Sequence, residues 1–165
     1  MIDFSKLHPE YLANLERGRE FQDFAMLTLF KECGIVVPVF ASLKYQVKYG
    51  ESLCRCEIKL DTKFFRTKRL FIETEERPTL DSELRPSGLD DPKCKFYLVG
   101  DYETFWFFGC HTLRNARSRH KHDGSGWELA EHKIEYEGKL ITLTKGALLP
   151  IEEADDLAEI KWEKT

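Results

Sequence analysis

The chain of 165 residues predicts a single α/β domain in which one early helix leads into sheet. In "RGREFQDFAMLTLFKECG", Phe21, Phe24, Ala25, Thr28 and Leu29 recur at helical spacing. "SLCRCEIKLD" and "RLFIETEER" instead alternate with the period of half-buried strands. A hydrophobic content of 42% with 13% aromatics then supplies enough apolar surface for one core, with no low-complexity run.

Taken in order, Pro9 suits the first turn of a short helix, where its missing N–H would be an orphan in any case. The longer helix follows, and Gly34 is its stop. "IVVPVF" is a β-branched apolar run that Pro38 confines to an edge strand or a bulge. From Cys54 onward the next strand alternates cleanly, with Cys54, Cys56, Ile58 and Leu60 set against Arg55, Glu57, Lys59 and Asp61. Its successor puts Leu70, Ile72 and Thr74 on one face and Phe71, Glu73 and Glu75 on the other. Residues 62 to 69 join the two as a hairpin-like turn, so Asp61 and Glu73 are expected on neighbouring strands.

Residues 77 to 93 hold three prolines, one glycine and many acids, and read as an irregular crossing loop. "CKFYLVG" and "TFWFFG" form an aromatic hairpin around "DYE", its rings belonging to the core rather than to a base-stacking platform. "HTLRNARS" fits a short helix and "HKHDGSG" a turn-rich loop. "HKIEYEGKLITLTKG" fits a last hairpin and "EEADDLAEI" a short terminal helix, and no repeat is visible.

The net charge of -4 argues against a general nucleic-acid coat protein, yet sign is segregated along the chain. Lys63, Arg66, Lys68 and Arg69 fill one turn, while Arg114, Arg117, Arg119 and Lys121 fill a second stretch together with His120 and His122. The end of the chain is largely acidic. Five cysteines, an odd number set in apolar segments, read as buried thiols of a reducing compartment, with the cytoplasm as the default. "MIDFSKLHPEYL" lacks the features of a signal peptide, and no run approaches the roughly 18 apolar residues of a membrane span. Neither export nor membrane insertion is expected. Cys110, His111, His120, His122 and Asp123 lack the paired short spacings of structural zinc sites.

Phosphodiester hydrolysis needs an activated water and stabilisation of phosphate charge, which carboxylates holding one or two divalent cations provide. Hard cations such as Mg²⁺ want oxygen ligands, and one or two carboxylates suffice because the ion keeps several waters. Asp61 at a strand end and Glu73 on the next strand fit this pattern, and the basic turn between them would meet phosphates rather than read bases.

At these residues the chain resembles the PD-(D/E)xK nuclease superfamily, whose pattern is an acid at a strand end, a hairpin, then acid, any residue and usually lysine. "LD...LFIETEE" is similar in its first two parts through Asp61 and Glu73. "GREFQDFAMLTLFKECGIVV" resembles the helix preceding that core, with Glu20 at the position whose acid completes the metal site. "RPSGLDDPKCKFYLVGDYETFWFFGCHTLRN" and "TKGALLPIEEADDLAEI" look like later segments of small phage-type and prophage-type members, so the likeness covers most of residues 18 to 160. It implies a restriction-endonuclease-like mixed central sheet flanked by helices, a Mg²⁺-dependent DNA endonuclease (Mn²⁺ as a substitute), a homodimer, and the cytoplasm of a bacterial or phage-infected cell.

Under that resemblance Asp61 and Glu73 bind metal, Glu20 supports it, and Glu75 stands at the usual lysine position as a general base toward water. Lys59, displaced in sequence, is the alternative partner of that water. Lys63, Arg66, Lys68 and Arg69 hold the nucleic-acid backbone, and Arg114, Arg117, Arg119 and Lys121 form a second phosphate clamp. A competing frame takes Glu51 as first acid and "EIK", Glu57 to Lys59, as the acid-x-lysine motif, but leaves no room for a turn between two strands. In the plainer reading all these charges are solvated surface. The rival function is a catalytically inactive DNA-binding or assembly module on the same fold, and RNA as substrate stays open.

Overall fold

The computed structural model describes residues 9–38, 52, 54–77, 82–123, 126–136 and 139–165. The elements are α1 (Pro9–Cys33), β1 (Cys56–Leu60), the one-turn helix α2 (Phe64–Thr67), β2 (Arg69–Arg77), β3 (Arg85–Pro86) and a 3-10 turn (Gly88–Asp90). They continue as β4 (Phe96–Gly100), β5 (Thr104–Gly109), α3 (Cys110–Asp123), β6 (Glu128–Tyr136), β7 (Lys139–Pro150), α4 (Ile151–Leu157) and β8 (Ile160–Glu163). Together they make a single α/β domain. No helix among the described residues is long and apolar enough to cross a membrane.

Among the described residues the strands form two four-stranded sheets rather than one central sheet. The first has the order β1-β4-β5-β8 and is mixed, β1 running parallel to β4 and the other neighbours antiparallel. The second, β3-β2-β7-β6, is antiparallel throughout.

Alternation along the first sheet decides what each face meets. Cys56, Ile58, Leu98, Phe105 and Phe107 meet Phe21, Ala25 and Leu29 of α1 in one core cluster. Tyr97, Val99, Trp106 and Phe108 join Leu70 and Ile72 of β2, Ala147 and Leu149 of β7 and Leu113 and Ala116 of α3 in a second. The aromatic hairpin is therefore core, as its composition predicts.

α1 is one continuous helix instead of a short helix and a longer one. It stops where Gly34 enters the left-handed region at φ +68°. The amides of Gly34 and Ile35 bond the carbonyls of Phe30 and Leu29, at 3.0 and 3.2 Å, satisfying last-turn acceptors. Of the expected "IVVPVF" strand, residues 35–38 are not strand, and 39 and 40 lie outside the described residues. β1 starts two residues later than the alternation suggests, because Arg55 takes a positive φ of 58°.

The largest correction concerns residues 62 to 69. They are not the turn of a hairpin, since β1 and β2 belong to different sheets. Phe64 of α2 is buried edge-on against Trp106 at 5.2 Å, and Lys68 at φ 57° redirects the chain into β2. Burying that ring in the core between the sheets turns the chain out of the plane of β1, where a two-strand turn would have kept it.

Two further differences follow from helix and strand ends. α3 runs 14 residues to Asp123, so "HKHD" continues the helix where a loop is expected. β8 follows α4 and pairs with β5, a strand the acidic end of the chain does not announce. The crossing loop contains β3 and the 3-10 turn, with residues 78–81 outside the described set. The last hairpin, β6 and β7, is present as expected.

Candidate functional site

The site grows from the outer strand of the mixed sheet. The register Glu57↔Tyr97 and Lys59↔Val99 puts Glu57, Lys59 and Tyr97 on the face opposite α1. β2 crosses near this face, and among the described residues part of its edge is left without a strand partner, because β3 pairs with Glu75 and Glu76 alone. The amides of Phe71 and Glu73 on that edge are satisfied by side chains of the first sheet's strands and loops. Phe71 N–H donates to Asp61 Oδ2 at 3.0 Å, and Glu73 N–H donates to the Tyr97 phenol oxygen at 3.0 Å.

This brings Glu73 into contact with β1. Glu73 is only 7% exposed, and its Oε2 lies 3.4 Å from Lys59 Nζ, which in turn lies 2.7 Å from Glu57 Oε1. Ser87 Oγ donates to Glu73 Oε1. The 3-10 turn presses on the same residue from outside: a Cβ on Gly88 would stand 2.5 Å from the Glu73 carbonyl oxygen, so only glycine fits.

One ammonium thus faces two carboxylates. Burial pushes the Glu73 carboxyl above its ordinary range; Lys59 and the Ser87 hydrogen bond pull it back, while Glu57 and Glu76 push it further up. Glu76 is itself paired with Arg85 at 2.6 Å. Burial, followed by the charge of Glu73, raises the Tyr97 phenol, so that group stays neutral.

Asp61, Glu73, Glu75 and Glu20 are expected around one metal, and the structure distributes them otherwise. Asp61 closes β1: its amide donates to the Gly100 carbonyl at 2.8 Å, and its Oδ1 accepts from Lys63 N–H at 2.8 Å. With the bond from Phe71, both carboxylate oxygens serve backbone amides. Glu75 is half-buried beyond a bulge in β2, in register with Pro86 and Lys145. Glu20 is exposed on α1, near enough to Tyr102 for its charge to raise that phenol after burial. α1 covers the face of the first sheet opposite Glu73. Among the described residues no group of three or more His, Cys, Asp or Glu side chains is placed to hold a metal ion.

The basic residues divide in the same way. Lys63, Arg66 and Lys68 are exposed around α2, and the charge of Lys63, after burial, lowers the pKa of His132. Arg69 pairs with Glu128. Arg114 donates to the carbonyls of Leu89, Asp91 and Cys94, at 2.8, 2.8 and 3.1 Å, and Arg117 pairs with Asp90 at 2.5 Å. These two hold the 3-10 turn and its following loop against α3. Arg119 is exposed, and the Lys121 side chain lies outside the described residues.

Sequence reasoning weighed Lys59 and Glu57 but passed over Ser87 and Tyr97. The available signal was "EIK" itself, an acid and a lysine two residues apart and hence on one strand face. A scan against protein-family models and searches of curated proteins and of solved structures return no match for the chain.

Proposed function

We propose that the chain is a divalent-cation-dependent phosphodiesterase acting on DNA, with Glu57, Lys59 and Glu73 as its centre. The observation that carries this reading is the Lys59 ammonium, 2.7 Å from one carboxylate and 3.4 Å from a second that is almost wholly buried. Two acids with one lysine, Glu57 and Lys59 from the outer strand of the mixed sheet and Glu73 from β2 of the second, is the donor set of the PD-(D/E)xK chemistry. The acid-x-lysine part here precedes the lone acid in the chain, the reverse of that pattern, so the support is chemical rather than by motif order. A mixed sheet backed by a helix supports the restriction-endonuclease-like reading of the fold, while the second, antiparallel sheet, which contributes Glu73, is an addition to it.

Glu57, Glu73 and Ser87 offer the hard oxygens that Mg²⁺ or Mn²⁺ takes, and their carboxylates outnumber the ammonium. When bound, such an ion neutralises phosphate charge and acidifies water. Lys59 would lend its proton-bearing ammonium to a phosphate oxygen or to the attacking water, the role otherwise expected of Glu75. Tyr97 and Ser87 fix the Glu73 backbone and carboxylate, and Asp61 positions the β2 edge. Lys63, Arg66 and Lys68 would meet the nucleic-acid backbone.

A non-catalytic DNA-binding or assembly role is favoured by one observation, that both Asp61 oxygens are occupied by backbone amides. Incubation with supercoiled plasmid, branched duplex, single-stranded DNA and RNA, in Mg²⁺ or Mn²⁺, separates the two. The enzyme reading expects chelator-sensitive cleavage that is lost in Glu73→Gln and Lys59→Met while the circular dichroism spectrum is kept. Absence of cleavage on every substrate with both metals refutes it, and cleavage surviving Lys59→Met moves the site elsewhere.

A further inference from the structure

None of the described cysteines is in a disulfide, but two of them lie side by side. Cys94, in the loop before β4, and Cys110, the first residue of α3, place their sulfurs 3.1 Å from each other inside the core between the sheets, at 6% and 0% exposure. We infer that Cys94 and Cys110 are an oxidisable dithiol that closes reversibly to an intramolecular disulfide.

The surrounding backbone holds the two residues in register for that bond. Cys110 N–H donates to the carbonyl of Lys95, the neighbour of Cys94, at 2.8 Å. Arg114, one turn further along α3, donates to the carbonyl of Cys94 itself at 3.1 Å. A sulfur shift of about 1 Å reaches the disulfide length of roughly 2.05 Å. The other cysteines have different surroundings: Cys33 is exposed, Cys54 neighbours the Ser52 hydroxyl at 3.4 Å, and Cys56 belongs to the cluster under α1.

The pair is also chemically asymmetric. Cys110 sits at the positive end of a 14-residue helix, and its sulfur contact with Cys94 lowers its pKa against the opposing effect of burial, with the Arg114 charge acting in the same direction as the contact. The same contact and burial raise that of Cys94.

With a peroxide as oxidant, one thiol takes an oxygen to become a sulfenic acid, releasing one water. The second sulfur then attacks it, forming the S–S bond and releasing another water. Two thiols lose two electrons and two protons, and one peroxide is reduced to two waters.

The test is a non-reducing tryptic map of the full-length protein after hydrogen peroxide, with free thiols blocked by alkylation. Trypsin releases Cys110 in the peptide 96–114 and Cys94 in the dipeptide 94–95. The expected product is these two joined, separated by dithiothreitol and formed equally in Cys33→Ser. Cys94→Ser should leave Cys110 open to alkylation in the unfolded, oxidised sample. The inference is overturned if wild-type Cys110 remains alkylatable, pairs with a different cysteine, or oxidises only to sulfinic or sulfonic acid. Because the wild-type map decides alone, a variant that fails to fold does not remove the test. Its result is independent of whether the chain cleaves nucleic acid.

Discussion

Replacing Asp61 by asparagine should weaken the fold before it touches any chemistry. The carboxylate accepts from Lys63 N–H at 2.8 Å and from the part-buried Phe71 N–H at 3.0 Å, tying the end of β1 to the open edge of β2. Asparagine keeps one carbonyl oxygen and presents an NH₂ group where the second acceptor stood, so one amide meets a donor. A hydrogen bond to a charged acceptor contributes about 1.5–3 kcal/mol and one to a neutral acceptor about 0.5–1.5 kcal/mol. Water replaces the partner of the exposed Lys63 amide, while the Phe71 amide has less access to it. The net loss should be about 2 kcal/mol, or roughly 4–8 °C in Tm for a chain of this size. Urea unfolding of wild type and Asp61→Asn, with the slope m unchanged, measures it. A difference below about 0.5 kcal/mol, the level of an ordinary surface substitution, would refute the edge-holding role. The same result bears on activity assays, since a dead Asp61→Asn enzyme with a lowered Tm says nothing about metal ligation.

Two further outcomes are expected. The Glu73 carboxyl is raised above 4.5, so the native chain holds its proton to higher pH than the unfolded chain does, and stability falls as pH rises from that value through the folded pKa. Glu73→Gln should remove this slope, so the difference in urea midpoint between the two proteins over about pH 4 to 8 should change in favour of the variant, and a flat difference would count against the buried charge. The glycines give an opposed pair by thermal melting: Gly88→Ala, at φ +50° and with backbone 2.5 Å from its new Cβ, should lose about 2 kcal/mol or more. Gly18→Ala, within α1 and with nothing inside 4 Å, should gain about 0.5–1 kcal/mol.

What the sequence reveals about this fold is what is local. α1 with its Gly34 stop, the aromatic hairpin and the last hairpin are legible because periodicity and turn chemistry act within a few residues. β1 is different. It pairs parallel with β4, Glu57 meeting Tyr97, and no alternation in "CEIKL" tells which strand will lie beside it. A short basic segment between two strands reads as a hairpin unless Phe64 is known to be buried under Trp106. The candidate site suffers from the same blindness: Glu57, Lys59 and Glu73 are all visible in the sequence, and their convergence depends on two sheets meeting. Arg114 shows the converse error. Its partners are three backbone carbonyls, which carry no letter in the sequence, so it reads as a phosphate ligand.

The manner in which β2 ends its ladder also bears on self-association. An open strand edge offers donors and acceptors to any extended chain, and folded proteins need some means of refusing it. On β6 Leu129 is exposed, and Glu128, Glu131, His132 and Lys133 around it are exposed polar or charged side chains, which disfavour an incoming strand by desolvation and repulsion. β2 refuses by occupancy: the amides that an added strand would need are already bonded to Asp61 and Tyr97. The side chains that bring Glu73 beside Lys59 therefore also act as a lock against strand exchange.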